Sequence, residues 1–230
     1  MTIISVFSNS FCHGAEVAER VSHRLDLPLV TDTSLTGGAG GRLSPDKLLR
    51  ALTRPPTLFN NLTRETELGV ALCRAALAAR VSQAPLVYHG FAAHLLPWYL
   101  TDVLRVGLAA DEGHRVERAR ARHGWSERQA RRRLRAEDRH ADLWTRQRFG
   151  VSPQDPRLYD LVQSMDRTSP AEAAERIAGA SGRPAHETTA ESQALTADFL
   201  QEARVEAALV EAGHDVEVRC RAGAVSLWVH

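Results

Sequence analysis

Short apolar runs alternate along the chain with longer amphipathic stretches. The apolar runs are rich in β-branched residues and predict buried strands at residues 2–7, 27–30, 85–90, 103–109 and 159–163. The intervening stretches place apolar residues at helical spacing and predict helices at residues 15–25, 63–81, 111–148 and 169–180, the third broken near Gly124. Strands that alternate with helices predict an α/β fold with a mainly parallel sheet.

The C-terminal part of the chain follows a different pattern. Residues 179–189 predict a linker. After it come a predicted helix and two predicted strands, at residues 190–212, 216–220 and 225–230. We therefore divide the chain into a main domain at residues 1–180 and a small αββ module at residues 190–230. The module is expected to dock on the main domain, or to offer a surface to a second copy of the chain or to another protein.

Composition adds one chemical constraint. The 230 residues carry a formal net charge of +1, which argues neither for nor against a nucleic-acid partner. Of the 29 basic residues, 28 are arginine, and Lys47 is the only lysine. A mechanism that needs a lysine must therefore use Lys47.

The cysteines and histidines point to no metal site. Cys12, Cys73 and Cys220 are far apart in the sequence, which predicts reduced thiols and a cytoplasmic protein without a disulfide framework. No His-x-x-x-His or Cys-x-x-Cys spacing occurs among them. No apolar run approaches the ~18 residues of a membrane span, so no membrane is expected as a partner.

The first predicted strand leads through a tight turn, residues 8–14, into the first predicted helix. In this layout, backbone N–H groups of a turn and of a helix N-terminus can hold a phosphate. Of the pattern G-x-x-x-x-G-K-[ST], only Gly14 is present, because Ala15 and Glu16 stand where the lysine and hydroxyl residue would be. The alternative is an ordinary strand–helix turn.

Four segments carry a family resemblance. The N-terminal segment resembles the opening of the cytidylate kinase-like family, a branch of the P-loop nucleoside monophosphate kinases. Its sequence is ISVFSNSFCHGAEVAERVSHRLDLPLVTD. Three later segments resemble the central strands, the lid, and the last strand and helix of that family: LVYHGFAAHLLPWYLTDVLRVGLAA, HRVERARARHGWSERQARRRLRAEDRHADLWTRQRFG and PRLYDLVQSMDRTSPAEAAERI. Over about residues 2–180, the resemblance implies a P-loop NTPase-like three-layer fold. It further implies transfer of the γ-phosphoryl group of ATP, with Mg²⁺, to a nucleoside monophosphate or a related small acceptor.

The resemblance also implies a phosphate-binding loop made of Ser10, Phe11, Cys12, His13, Gly14 and Ala15. The family typically has Gly-Ser-Gly-Gly where this chain has Phe-Cys-His-Gly. The lost glycines and the missing lysine leave a second interpretation open. In it, the chain is a catalytically inactive regulatory protein that binds a nucleotide or another anion on the same fold.

A stretch at residues 111–150, which we call the lid, is rich in arginine. It holds twelve arginines and seven acidic residues, an excess of five positive charges. In the family picture, the lid arginines that neutralise phosphate charge are Arg118, Arg122, Arg132 and Arg139. One alternative is a solvated helix with Glu–Arg pairs. Another is a nucleic-acid surface, against which the few aromatic residues and the interleaved acidic residues argue.

Three residues are candidates for the acceptor. Asp32 follows the second strand where such kinases place a residue near the acceptor, although it could equally cap a turn. Arg42 lies in the glycine-rich segment 36–46, which predicts a loop, and is either an acceptor contact or solvated. His89 stands after the central strand, where the family often has an arginine. Finally, the C-terminal αββ pattern loosely resembles small bacterial modules of the BON type.

Overall fold

A five-stranded parallel sheet forms the centre of the fold. The computed structural model describes residues 3–38, 43–53 and 64–229. The strands are β1 (Ile3–Ser8), β2 (Leu29–Thr31), β3 (Val87–His89), β4 (Val103–Ala109) and β5 (Leu161–Ser164). Their order in the sheet is β2-β3-β1-β4-β5, with every neighbouring pair parallel. The predicted mainly parallel α/β fold is confirmed.

Helices cover both faces of this sheet. They are α1 (Gly14–Leu25), α2 (Asp32–Gly38), α3 (Pro45–Thr53), α4 (Glu65–Val81), α5 (Glu112–His123), α6 (Glu127–Phe149), α7 (Pro170–Ser181) and α8 (Ala190–Glu211). Short 3₁₀-helices lie at Phe91–Leu95, Pro156–Leu158 and Pro184–His186. No helix within the described residues has the length and apolar character needed to cross a bilayer.

The two faces of the sheet bury separate hydrophobic clusters. On β1, Ile3 packs into the cluster of α3, α4 and α8, whereas Ile4 and Val6 pack into the cluster of α1 and α7. This alternation follows from the two-residue period of a strand. Burying a side chain such as Ile4 completely stabilises the fold by about 1.5–3 kcal/mol. The apolar runs identified in the sequence are therefore apolar because both sheet faces are covered.

The candidate site lies at the carboxyl edge of the sheet. Because the strands are parallel, the loops that follow β1, β3 and β4 leave from the same edge. The loop after β1 turns into α1, and the chain after β4 enters the α5–α6 hairpin of the lid.

The C-terminal helix α8 packs with the main core, and a hairpin follows it. Phe199 and Ala203 of α8 are fully buried in the same cluster as Leu77 of α4. The hairpin is β6 (Val216–Arg221) and β7 (Ala224–Val229), joined by a turn in which Ala222 and Gly223 have φ values of 50° and 77°. Positive φ at both central residues is the geometry of a tight type I′ turn. The predicted helix and hairpin are confirmed, and the helix docks on the main domain.

Two local predictions were inaccurate. The segment 36–46 was expected to be a loop, but α2 extends to Gly38. Thr31 and Ser34 exchange backbone-to-side-chain hydrogen bonds of 2.8 and 3.2 Å at the start of that helix, a reciprocal cap. The last strand begins two residues later than expected, because the Asp160 carboxylate accepts the Arg105 N–H at 2.8 Å and so replaces a strand hydrogen bond there.

Candidate functional site

The loop between β1 and α1 contains two left-handed residues. Phe11 has φ 65° and His13 has φ 59°. For residues with a side chain this conformation costs of order 1 kcal/mol each. These two positions correspond to glycines in the family pattern. The backbone therefore turns as a glycine would allow, although the glycines themselves are absent.

The N-terminus of α1 points its free amides out of this loop. Val17 N–H donates to His13 C=O at 2.9 Å, the first hydrogen bond of the helix. The N–H groups of Gly14, Ala15 and Glu16 precede it, and the N-cap residue His13 supplies no side-chain cap. Uncapped amides and the positive end of a helix dipole form a binding site for an anion.

Gly14 is required by close packing at the base of the loop. A β-carbon at this position would overlap the Ser8 hydroxyl and the His89 ring. Ser8 Oγ and His89 Nε2 are themselves 3.2 Å apart. Burial lowers the pKa of His89, so its ring is largely neutral at pH 7. His89 therefore packs against the floor of the loop and brings little charge to it.

The side chains that replace the glycines are held at the sides of the loop. Phe11 packs edge-to-face on His123 and Trp125 of the lid, with ring centroids 5.7 and 6.2 Å away. His13 Nδ1 lies 3.1 Å from Glu16 Oε2. Cys12 is completely buried, and burial raises the pKa of its thiol to about 11. Cys12 is thus a protonated core residue, as expected for an inert thiol.

Arg115 connects the loop to the lid. Its Nε donates to Ser10 C=O at 2.8 Å, and its two terminal nitrogens donate to the Asp138 carboxylate at 2.8 and 2.7 Å. The Arg115 residue is only 4% exposed. This bidentate, buried arrangement fixes α5, α6 and the loop relative to one another. We call the three groups the Arg115 clamp.

The other lid arginines differ in whether a carboxylate holds them. Besides Arg115, ion pairs fix Arg131, Arg135 and Arg146. Arg133 and Arg148 lie over the rings of Trp125 and Trp144. Within the described residues, no carboxylate pairs with Arg118, Arg120, Arg122, Arg128, Arg132 or Arg139. All four arginines that the resemblance implies for phosphate belong to this unpaired group.

Those four arginines do not converge on one point in this structure. Arg118 is half-buried, one helical turn after His114, whose ring centroid lies 5.9 Å from that of His13. Arg118 therefore shares the face of α5 that is turned toward the loop. Arg132 and Arg139 are exposed along a surface groove of about 820 Å³ on α6, and Arg122 is exposed near the end of α5.

The acceptor candidates have different surroundings. The Asp32 carboxylate accepts hydrogen bonds from Tyr88 O–H and from the N–H groups of Phe91 and Ala92, at 2.7 and 3.1 Å for the amides. Burial raises the pKa of this carboxyl. Asp32 thus caps the turn after β3, the alternative role weighed above, and its contact with an acceptor stays a prediction. Arg42 lies outside the described residues.

Sequence reasoning missed the Arg115 clamp. Arg115 and Asp138 are 23 residues apart in the chain, on two helices whose relative rotation no local pattern fixes. The available signal was the place of Arg115 beside Val116 on the face of α5 that also carries Ala119, all of which are buried. An arginine on a buried helix face requires a carboxylate partner nearby.

The described residues fit a polyphosphate better than they fit a bare metal ion. No group of three His, Cys, Asp or Glu side chains is close enough together in the described chain to hold a cation. Ala15 and Glu16 offer no hydroxyl after Gly14, and the Glu16 carboxylate is occupied by His13 and Arg20. The loop therefore provides donors for anionic oxygens and no metal-ligand set of its own.

Comparisons with known proteins agree with this architecture. The chain aligns with the crystal structure of an uncharacterized protein from Eubacterium ventriosum ATCC 27560 at 15% identity and a TM-score of 0.61, over 80% of this chain and all of that one. It aligns with a gluconokinase from Sinorhizobium meliloti 1021 at 16% identity and a TM-score of 0.50, over 80% of this chain and 93% of that one. These likenesses confirm the predicted P-loop NTPase-like fold.

The sequence itself matches a family model. None of the curated proteins compared with the chain matches it. The model of the cytidylate kinase-like family, however, matches residues 3–167, which include the loop, the lid and all five strands of the parallel sheet. The chain belongs to the cytidylate kinase-like family.

Proposed function

We propose that this protein is a phosphotransferase that moves the γ-phosphoryl group of ATP to a nucleoside monophosphate or a related small acceptor. One observation carries the proposal. In a chain of this family, the loop after β1 keeps a glycine-like backbone at Phe11 and His13 and leads into an uncapped helix N-terminus. A site of that kind binds the phosphates of a nucleotide through backbone amides. Those N–H groups are still present where other residues replace the glycines of the family pattern.

The main chain of the loop is proposed to hold the donor phosphates. The residues involved are Ser10, Phe11, Cys12, His13, Gly14 and Ala15. The aromatic ring of Phe11 packs on the lid, and Cys12 is buried, so both residues contribute backbone only. Mg²⁺ would arrive with the nucleotide, since phosphate oxygens and water supply most of its octahedral shell in such sites. Bound in this way, the ion neutralises charge on the transferring group.

Arginine is proposed to replace the missing lysine. The only lysine, Lys47, pairs with Glu65 away from the loop. Arg118 faces the loop, and its Nε is enclosed without a hydrogen-bond partner among the described residues. Arg122, Arg132 and Arg139 have no carboxylate partner in the described part of the chain, so their charges remain available to phosphate when the lid meets a ligand. His89 and Arg42 are proposed to contact the acceptor, and Asp32 fixes the turn that follows His89.

A second candidate function is nucleotide or anion binding without turnover. The observation that favours it is the immobilisation of Arg115, the most buried lid arginine, by Ser10 and Asp138. An arginine so fixed is unable to follow a moving phosphoryl group. On this account the protein would bind a nucleotide and act as a regulator.

The two functions are separated by a binding measurement followed by an activity measurement. Thermal-shift titrations with ATP, ADP, CMP, AMP and pyrophosphate, with and without Mg²⁺, measure binding. Release of ADP from ATP in the presence of each monophosphate then measures transfer. ATP binding with acceptor-dependent ADP release supports the phosphotransferase. Binding without release supports the regulator, and no shift with any nucleotide contradicts both.

Arg118→Ala tests the proposed substitute for lysine. Removal of a well-placed charge at a phosphoryl-transfer site lowers kcat by about 10²–10³-fold, and we expect that loss of ADP release here. Arg120→Ala is the matched control, because Arg120 is an exposed arginine two positions away on a different face of α5, and no described carboxylate pairs with it. Equal losses in the two variants, or none in either, would remove Arg118 from the site.

A further inference from the structure

A cavity of about 420 Å³ lies at the amino edge of the parallel sheet, opposite the edge that carries the loop between β1 and α1. It is bounded by Ile3 at the start of β1, by Val81 at the end of α4, and by Asp102, the residue before β4. Gln83 and Ala84 at its rim are exposed, so the cavity opens to solvent. Clefts of this size hold small organic molecules in proteins. We call it the Asp102 cavity.

One face of α8 forms another wall of the Asp102 cavity. Gln193, Thr196, Ala197 and Leu200 line it, and their spacing of three and four residues places them on the same side of the helix. Ala197 and Leu200 add apolar surface to that of Ile3. The described lining contains no arginine and no lysine, in a chain that is rich in arginine. The walls therefore offer carbon surface and a few uncharged polar groups.

Asp102 is the one charged side chain among the described residues of the lining, and it is only 4% exposed. Its Oδ2 accepts a hydrogen bond from the Thr188 hydroxyl at 3.3 Å and lies 3.2 Å from the Ser192 hydroxyl. The Thr189 C=O, 3.1 Å away, competes for the single proton of that Ser192 hydroxyl. Oδ1 is enclosed and has no hydrogen-bond partner in the described part of the chain. Much of the acceptor capacity of this buried carboxylate is therefore unused.

The charge of Asp102 lacks a direct counter-ion. None of the ion pairs between described residues includes it. Burial lowers the pKa of Arg105, and the charges of Asp160 and Asp102 act against that shift, but the Arg105 guanidinium donates to backbone carbonyls instead. The start of α8 adds a partial positive charge, while Thr189 and Ser192 bond to each other in its capping box. Burying a carboxylate without a contacting cation costs free energy.

We propose that the Asp102 cavity binds a small organic cation, whose ammonium or amidinium group donates to the Asp102 carboxylate and whose apolar body lies between β1 and α8. Such a ligand matches both the single negative charge and the carbon walls. A bare metal ion matches neither, because no group of three His, Cys, Asp or Glu side chains gathers anywhere in the described chain. A neutral donor would complete the hydrogen bonds but leave the charge uncompensated. The site is separate from the loop and lid proposed for phosphoryl transfer.

Amide chemical shifts of the ¹⁵N-labelled full chain test the charge requirement. The probes are butylammonium, benzylammonium and benzamidinium, each compared with its uncharged counterpart, butanol, benzyl alcohol or benzamide. At least one cation is expected to give saturable shifts centred on residues 81–85, 102–103 and 188–200. Its counterpart is expected to bind about tenfold more weakly, because hydrogen bonds to charged groups are the stronger ones. Equal affinities, no saturable shift with any of the cations, or the same shifts with Na⁺ or Mg²⁺ overturn the proposal.

Asp102→Asn tests the carboxylate itself. It keeps the shape of the side chain and removes its charge, so binding of the cation is expected to weaken about tenfold. Glu191→Gln removes an exposed carboxylate from the first turn of α8 and is the control for general electrostatic attraction. Cation binding that survives Asp102→Asn, or that Glu191→Gln weakens equally, contradicts the assignment.

Ala197→Phe tests the cavity without touching the carboxylate, and it keeps the proposal testable if Asp102→Asn fails to fold. The new ring starts from an exposed position of the lining and is expected to fill the cavity and abolish binding. Ala194→Phe, also exposed on α8 but outside the described lining, is the matched control and should bind the cation normally. Circular dichroism checks that both variants are folded. Binding retained in Ala197→Phe, or lost in both variants, places the ligand elsewhere and overturns the proposal. None of these readouts involves phosphoryl transfer.

Discussion

His94 is a half-buried base with an enclosed ring nitrogen that has no hydrogen-bond partner among the described residues. Its ring lies among Phe7, Phe149 and Tyr159, with the Phe7 centroid 4.5 Å away. Its Nε2 has no partner in the described chain. Burial lowers the pKa of His94 to about 4 from its ordinary value of 6.5. The folded protein therefore binds the proton less readily than the unfolded chain does.

This difference predicts acid destabilisation over a defined range. Between pH 6.5 and about 4 the unfolded state carries more protons at this residue, so the free energy of unfolding falls as the pH falls. The contribution is about 3 kcal/mol in total, from 1.36 kcal/mol per pKa unit. His94→Phe is expected to flatten this part of the curve, measured by urea unfolding at pH 7 to 4. His23→Phe, at an exposed position of α1, is the control and should retain the slope of the wild type. If all three proteins had the same slope, the loss of stability at acid pH would belong to other groups.

At single positions, the local role of a residue was easier to predict from sequence than its contacts with residues far away in the chain. The turn at residues 8–14 was identified because the order of strand, turn and helix is local. The direction of the Phe11 ring depends on Trp125, more than a hundred residues later, and no local pattern specifies it. Asp32 had two equally good local interpretations, and the choice between them depended on the distant amides of Phe91 and Ala92.

The Arg115 clamp is the contact that joins the lid helices to the phosphate-loop candidate. Asp138→Asn keeps the shape of the acceptor but removes its charge, which leaves a buried guanidinium without its counter-ion. Because Asp138 is 31% exposed, we expect a loss of about 1–3 kcal/mol in the free energy of unfolding, less than for a fully buried pair. Faster hydrogen exchange at residues 10–14 and along α5 is expected to accompany it.

Arg135→Gln is the matched control for that variant. It breaks another lid ion pair, Arg135 with Glu112, whose members are 67% and 39% exposed. Exposed pairs contribute at most about 1 kcal/mol, so stability should hardly change. Exchange at residues 10–14 should also stay as in the wild type. If Arg135→Gln loosened the loop as much as Asp138→Asn, general lid stability would explain both results.

Whole elements were predicted well where their ends carry local signals. Helix α7 begins at a capping box formed by Ser169 and Glu172, with Pro170 at its first position. Helix α2 was missed because Thr31 and Asp32 also fit the end of a strand, and a seven-residue helix has no apolar periodicity to decide between them. The order of strands in the sheet, β2-β3-β1-β4-β5, is a property of tertiary packing, and no pattern in the sequence specified it.

At the scale of the molecule, the C-terminal helix is part of the main core. Phe199 of α8 is fully buried in the cluster that includes Trp144 of the lid and Leu77 of α4. Arg74 of α4 pairs with both Glu202 and Glu206 of α8 and lies over the Phe199 ring. Helix α8 is therefore expected to unfold together with the sheet, and the separate αββ module at residues 190–230 stays a prediction only for its hairpin.

Phe199→Ala tests this coupling. Truncation of a buried phenylalanine costs about 3–5 kcal/mol through lost burial and the cavity left behind. Because α8 shares its core with the sheet, the loss should move a single unfolding transition, seen alike by far-UV circular dichroism and by Trp144 fluorescence in urea. The fluorescence is measured with Trp98, Trp125 and Trp228 replaced by phenylalanine, so that Trp144 is the sole emitter. Leu143→Ala, at an exposed position beside Trp144, should leave that transition within about 0.5 kcal/mol. If Phe199→Ala instead produced an early partial transition that Trp144 did not report, α8 would be a separately folding unit that only rests on the main domain.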